Sequence, residues 1–176
     1  MTNDSTAWWQ RTKADPGRLE GWLRKQYRGE ATAAARIEQL RDEYAIDDLR
    51  AAHILTVIAG QERKHADWVE GLLRARGVDP TLDGAEERYW KEPLRQIEDL
   101  STGCAVGAHA ERMRLDRIRV ICEDLEAPKD IRQVFLRILP EERFHERAFR
   151  LLAGREAMEA TRDAHELGRT ALGLEP

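Results

Sequence analysis

Two tetrapeptides decide how this chain reads: Glu62-Arg63-Lys64-His65 ("ERKH") and Glu142-Arg143-Phe144-His145 ("ERFH"). With 20 Glu and 5 His in the chain, a glutamate three residues before a histidine arises about half a time by accident. Two occurrences therefore gain meaning only from where they sit. On a helix, residues three apart share a face, so each motif would set a carboxylate beside an imidazole. The flanking apolar positions tell whether that face is buried.

Those positions define four long helices. Asp15-Pro16 supplies a cap and a first-turn proline for a helix at about 16–45, with a stripe of Leu23, Tyr27, Ala34, Ile37, Leu40 and Tyr44. Asp47 and Asp48 cap a second at about 48–76, carrying Ala52, Leu55, Ile58, Val69 and Leu72 and ended by Gly77. Pro93 is expected to open a third at about 93–126, striped by Ile97, Leu100, Cys104, Ala108, Leu115, Ile118, Cys122 and Leu125. Pro128 opens a fourth at about 128–153, with Ile131, Phe135, Ile138, Phe149 and Leu152. Residues 155–172 read as a weaker terminal helix, and residues 1–15 as a polar tail. The expected organisation is tail 1–15, bundle 16–153, and C-terminal helix and tail 154–176.

Each stripe has a gap at helical spacing, and polar residues fill it. Glu30 lies between Tyr27 and Ala34, Glu62 and His65 between Ile58 and Val69, Glu111 between Ala108 and Leu115, and Glu142 and His145 between Ile138 and Phe149. All six are expected to point inward. Glu38, Glu70, Glu123 and Glu146 fall off the stripes, and Glu20 is ambiguous. Glu30 and Glu62 are centred on residue 46, and Glu111 and Glu142 between 126 and 127. Each pair is thus level, about 16 residues or 24 Å from its turn. The halves repeat as Glu-x31-Glu-x2-His and Glu-x30-Glu-x2-His.

Short turns make the first and last helix pairs antiparallel hairpins. The segment 77–92 is long enough to run the length of a bundle, making the second and third helices parallel, or else it is a loose loop in an up-down bundle. Four carboxylates in an apolar core cost several kcal/mol each without compensation. Arginine pairing or protonation relieves one or two. Two divalent ions relieve all: four Glu⁻, two neutral His and two M²⁺ sum to zero.

Composition agrees with an all-α domain. The 176 residues are 35% charged and 6% aromatic, dominated by Ala, Leu, Arg and Glu. Net charge is −4, with arginines interleaved among carboxylates, which makes no case for nucleic acid. No apolar run approaches the roughly 20 residues of a membrane span, and the N-terminal stretch has no apolar leader. Cys104 and Cys122 stand about 27 Å apart along one helix and cannot bridge. A reducing cytoplasm is the expected location.

With this ligand order on four helices, the chain resembles the ferritin-like di-iron carboxylate proteins over about residues 16–153. The resemblance implies a four-helix bundle with a long second-to-third crossover. It also implies two iron ions, with manganese or zinc as substitutes. Glu30 and His65 would be terminal on one ion and Glu111 and His145 on the other, with Glu62 and Glu142 bridging as the catalytic pair. Within the superfamily, the second Glu-x-x-His argues against iron storage. Rubrerythrins are similar in their symmetric ligands but carry a further carboxylate one turn after the third-helix glutamate, where this chain has Arg114, and it lacks the CxxC pairs of a rubredoxin domain. The "RGEATAA" around Glu30 is similar to the Gly-Glu-x-x-Ala helix of demethoxyubiquinone hydroxylases. The implied activity is oxidation or hydroxylation of a small organic molecule with O2 or peroxide, fed by an external electron donor, in a homodimer; the alternative is a rubrerythrin-like peroxidase or a ferroxidase.

Of the remaining residues, Tyr27 and Trp68 read as packing, and His53, His109 and His165 as solvent-exposed or capping. Arg63 and Arg143 are expected to face surface glutamates. Trp8 and Trp9 could seal the bundle end, dock a second subunit or cover a substrate entrance.

Overall fold

Three of the helices in this chain begin where a side chain ahead of them accepts the first free backbone N–H groups. The structure, a computed structural model describing residues 3–84 and 88–172, contains α1 (Asn3–Lys13), α2 (Pro16–Tyr44), α3 (Leu49–Arg74), α4 (Leu100–Glu123), α5 (Lys129–Ala160) and α6 (Arg162–Ala171). No strand occurs among the described residues. The Asp15 carboxylate accepts from Gly17 N at 2.9 Å and Arg18 N at 3.1 Å. Asp48 does the same for Ala51 N at 2.9 Å. At the far end of α3, Val78 N donates to Leu73 O at 3.1 Å and Gly77 N to Arg74 O at 3.0 Å. Gly77 sits at φ 70° to close that pair of bonds, a conformation an L side chain resists.

The core falls into two apolar halves. One joins Leu23 at the start of α2, Leu72 and Leu73 at the end of α3, Ile121 at the end of α4, and Ile131 and Phe135 at the start of α5. The other joins Leu40, Leu55, Cys104 and Phe149 from the opposite ends. Hence α2 and α5 run one way and α3 and α4 the other. The end of α3 and the start of α4 therefore lie at opposite ends of the bundle, as the crossover reading requires, and residues 75–84 leave α3 along α2. Arg24 Nη1 donates to Asp79 O at 3.0 Å and Arg28 Nη1 to Asp83 O at 2.5 Å, strapping this stretch to α2. The closest helix pairs are α2 with α3 and α4 with α5; α3 also packs on α5 and α2 on α4.

Three expectations need correction. Residues 3–13, read as part of a tail, form α1. Trp9 is fully buried there and its Nε1–H donates to Asp124 Oδ2 at 2.8 Å, beside Lys13 Nζ at 2.7 Å. Pro93 does not open α4 but a 3₁₀ turn, Pro93–Gln96, after another at Arg88–Lys91. The stronger signal is Asp99, which accepts from Thr102 N at 2.7 Å while Asp99 N donates to Thr102 Oγ1 at 3.0 Å, a reciprocal cap. Leu125, assigned to the buried stripe, is 79% exposed because α4 stops at Glu123. The break expected after residue 153 is present: Gly154 interrupts α5 at φ 71°. No helix among the described residues is long and apolar enough to cross a membrane.

Because Trp9 seals the bundle end through both its ring and its N–H, Trp9→Ala should cost about 3–5 kcal/mol. Urea unfolding followed by circular dichroism checks this, with an unchanged slope expected.

Candidate metal centre

Between the two apolar halves lies a layer of buried polar side chains. Glu30 comes from α2, Glu62 and His65 from α3, Glu111 from α4, and Glu142 and His145 from α5; all six are buried. They form two groups whose donor atoms lie within 4.8 Å of one another: Glu30, Glu62, His65 and Glu142, and Glu62, Glu111, Glu142 and His145. Glu62 and Glu142 belong to both. The sequence placed these six side chains on inward faces, and the tertiary structure brings them to one level.

The imidazoles are aimed. His65 Nε2–H donates to Glu141 Oε2 at 2.8 Å, and His145 Nε2–H to Gln61 Oε1 at 2.9 Å. Both Nδ1 atoms are thereby turned inward, where neither has a hydrogen-bond partner. His65 Nδ1 stands 3.4 Å from Glu142 Oε1 and 3.8 Å from Glu30 Oε2. His145 Nδ1 stands 3.1 Å from Glu62 Oε1 and 3.8 Å from Glu142 Oε2. Two ligands about 2.1 Å from a shared ion stand about 3–3.5 Å apart, a range that the 3.4 and 3.1 Å separations meet and the two at 3.8 Å exceed slightly. Glu111 Oε2 and Glu142 Oε2 are likewise buried without a partner. Orphaned donors cost free energy, and divalent cations would satisfy all of them.

The structure also places a cation in the middle. Arg114 Nη1 lies 2.9 Å from Glu30, 3.1 Å from Glu142, 3.2 Å from Glu62 and 3.8 Å from Glu111. The position one turn after Glu111, noted in the sequence only as lacking a carboxylate, thus carries the counter-charge for four. Protonation follows from burial and this guanidinium. Burial lifts Glu30 to about 7, with Arg114 opposing and Glu62 adding to the rise. Burial and then Glu142 push Glu111 well above the carboxylate range. Glu62 is held at about 2, because Arg114 and His145 outweigh its desolvation. Glu142 is likewise held low, Arg114 outweighing burial. Desolvation would lower both histidines, yet Glu142 and Glu30 raise His65 to about 10, and Glu142 and Glu62 raise His145 to about 9.

Two cavities open on the seam between α2 and α4, and both are lined by Trp90, Ala110 and Arg114. One, of about 360 Å³, reaches Glu111 past Ala33, Gly103, Val106 and Gly107. Of the small residues flanking Glu30 and Glu111, Ala33, Gly103 and Gly107 line this space, whereas Ala34, Ala105 and Ala108 are core. The other, of about 570 Å³, is bounded by α1, α2 and α4.

The sequence reading missed Gln61 and Glu141. Each directly precedes a motif glutamate, and each serves the histidine of the other motif. The repeat of a polar amide or acid before both glutamates was the available signal. His165 is a correction: it is buried and accepts from Tyr89 O–H at 2.8 Å, with the His109 ring stacked at 4.6 Å. Burial, then His109, lowers it to about 4. The 3₁₀ turn that carries Tyr89 beneath α6 accounts for this. His109 bonds to Met158 O at 3.2 Å, and His53 is exposed. Arg63 pairs with Glu38 on the surface, and Trp68 packs beside His65 at 5.8 Å.

No protein-family model matches the chain, and neither the curated proteins nor the solved structures yield a match to it.

In chelator-treated protein the titrations give a definite pH dependence. Glu30, raised to about 7 from 4.5, removes stability as pH climbs from 4.5 to 7. His65 and His145, raised from 6.5 to about 10 and about 9, add stability below pH 6.5 that is lost towards those values. Glu62, lowered from 4.5 to about 2, adds stability above 4.5 that is lost on acidification. Thermal melts in EDTA should therefore peak in mildly acidic buffer and decline towards alkaline pH.

Proposed function

We propose that this chain is a ferritin-like non-haem di-iron oxidoreductase that uses O2 or peroxide to oxidise or hydroxylate a small organic substrate. One observation carries the reading: two inward, unpartnered Nδ1 atoms and four buried carboxylates form two four-residue groups that share Glu62 and Glu142. Glu30 and His65 would hold one ion and Glu111 and His145 the other, with Glu62 and Glu142 bridging. Four carboxylates and two neutral imidazoles balance two divalent charges. The mixed nitrogen and oxygen set suits iron or manganese, with zinc as a competitor. The ligand order on α2, α3, α4 and α5, with α3 and α4 parallel, supports the ferritin-like assignment.

Two iron ions would supply redox electrons and Lewis acidity for activating the oxidant, with an external donor restoring them. The chain's own residues do the positioning. Glu141 and Gln61 fix the imidazole tautomers with Nδ1 inward, and the Glu141 carboxylate makes His65 the more basic ligand. The apolar halves above and below the layer exclude water. Arg114 balances the carboxylates and must leave the centre as divalent ions load; it lines both cavities, so space adjoins it. The small-residue cavity reaching Glu111 supports an organic substrate rather than an iron-conducting path, which would be acidic.

Anaerobic titration with ferrous iron should reach two ions per chain, and Glu62→Ala and His145→Ala should each lose both. Admitting O2 should then produce a near-UV or visible band. A featureless spectrum at full loading would remove oxygen activation from the reading. Removing the buried counter-charge tests the centre separately. Arg114→Ala should destabilise chelator-treated protein by about 3 kcal/mol and tighten ferrous binding, read by melting and by competition with a chromophoric chelator.

A further inference from the structure

The smaller of the two cavities, about 360 Å³, is drawn out along the seam between α2 and α4. On α2 its lining runs from Ala33 to Tyr44, about 16 Å of helix. On α4, which runs the other way, it extends from Gly103 to Arg114. Gln39 and Glu43 are exposed and mark the mouth, towards the C-terminal end of α2. Glu111 stands at the inner end, 3.8 Å from Arg114. Between these ends the walls are apolar: Ile37 and Leu40 from α2, Leu94 and Ile97 from the connection, Val106 from α4 and Phe149 from α5. Gly103 and Gly107 set two of those walls. A Cβ at Gly103 would overlap Leu40, and one at Gly107 would press on the Phe149 ring at 3.2 Å, so both side chains lie against the α4 backbone.

We propose that this slot binds an uncharged, elongated apolar molecule end-on, with its inner terminus presented to the carboxylate layer, and that this is the substrate class of the adjoining centre. Charge supports a neutral occupant. Among the described lining residues the charged ones are Arg36, Glu43, Glu111 and Arg114, two of each sign, and Arg36 stands over the Trp90 ring at 4.5 Å. A charged group carried inside would lose its water without meeting a net opposite charge. Shape supports a chain over a compact ring, because each added methylene finds new wall until the slot is filled. A polar group at the outer end would reach Gln39 and water. The inner end calls for a ligand of its own: Glu111 is 5% exposed and its Oε2 has no hydrogen-bond partner. At about 360 Å³ the space is of the size that holds a small organic molecule. As a substrate site this rests on the di-iron reading; as a binding site it does not.

The test titrates the straight-chain alcohols from butan-1-ol to decan-1-ol calorimetrically into full-length protein, both iron-loaded and chelator-treated. Affinity should rise about fourfold with each added methylene, the gain from burying one. Octanedioate, which has to carry a carboxylate to the inner end, should bind at least about tenfold more weakly than octan-1-ol. Ala33→Phe and Ala110→Leu each fill the inner end from a different helix. In both, affinity should stop rising before octan-1-ol, with helicity unchanged. Ala35→Phe is the control, exposed on α2 and off the slot, and should leave the series unaltered. Affinity that does not grow with chain length, octanedioate binding as tightly as octan-1-ol, or an unaltered series in both filled variants overturns the proposal. So does a series cut short as much by Ala35→Phe as by Ala33→Phe. Two bound irons with no chain-length dependence overturns it while leaving the di-iron reading standing. Chain-length-dependent binding by protein that takes up no metal keeps the binding site, and removes both the di-iron reading and the substrate role.

Discussion

Four carboxylates cannot be taken out of water into a helical core unless positive charge meets them there. That constraint organises the protein. Leu23, Leu73 and Phe135 close one side of the layer and Leu40, Leu55 and Phe149 the other, so the glutamates meet little solvent. The response is layered. Arg114 reaches in from α4 to contact all four carboxylates, Glu30 and Glu111 are pushed towards their protonated forms, and His65 and His145 are drawn towards the charged form. Divalent ions at the cluster would supply the same positive charge. The same cluster could hold a divalent cation, which would compete with this arginine and these protons for the carboxylates.

The histidines are braced across the bundle. His65 on α3 is oriented by Glu141 on α5, and His145 on α5 by Gln61 on α3. Each motif thus supplies the support for its counterpart, which ties the donor geometry to the contact between α3 and α5. The opposite side is built differently. Between α2 and α4 the seam holds both cavities, with Trp90, Ala110 and Arg114 common to them. One side of the centre is bridged by hydrogen bonds, and the other is lined by cavities.

Local signals located most elements. Asp15, Asp48 and Gly77 delimit α2 and α3 because capping is a matter of the few residues on either side of a helix end. The same rule corrected the start of α4, where the Asp99–Thr102 pair prevailed over Pro93. Two other errors were of a different kind. The burial of Trp9 depends on Asp124, 115 residues away, and that of His165 on Tyr89, 76 residues away. No pattern within one helix carries those partnerships.

By itself, the sequence determined which face of each helix is apolar, and hence that Glu30, Glu62, His65, Glu111, Glu142 and His145 turn inward. Periodicity is a property of a single helix and needs no neighbour. Hairpin spacing added that each glutamate pair is level. Only the tertiary structure decided the direction of α4 relative to α3, the partners Gln61 and Glu141, the packing of α1 and the insertion of Arg114 among the carboxylates. These depend on which helix stands opposite and on how far a long side chain reaches across the gap, and both are set by the packing of surfaces distant in the chain.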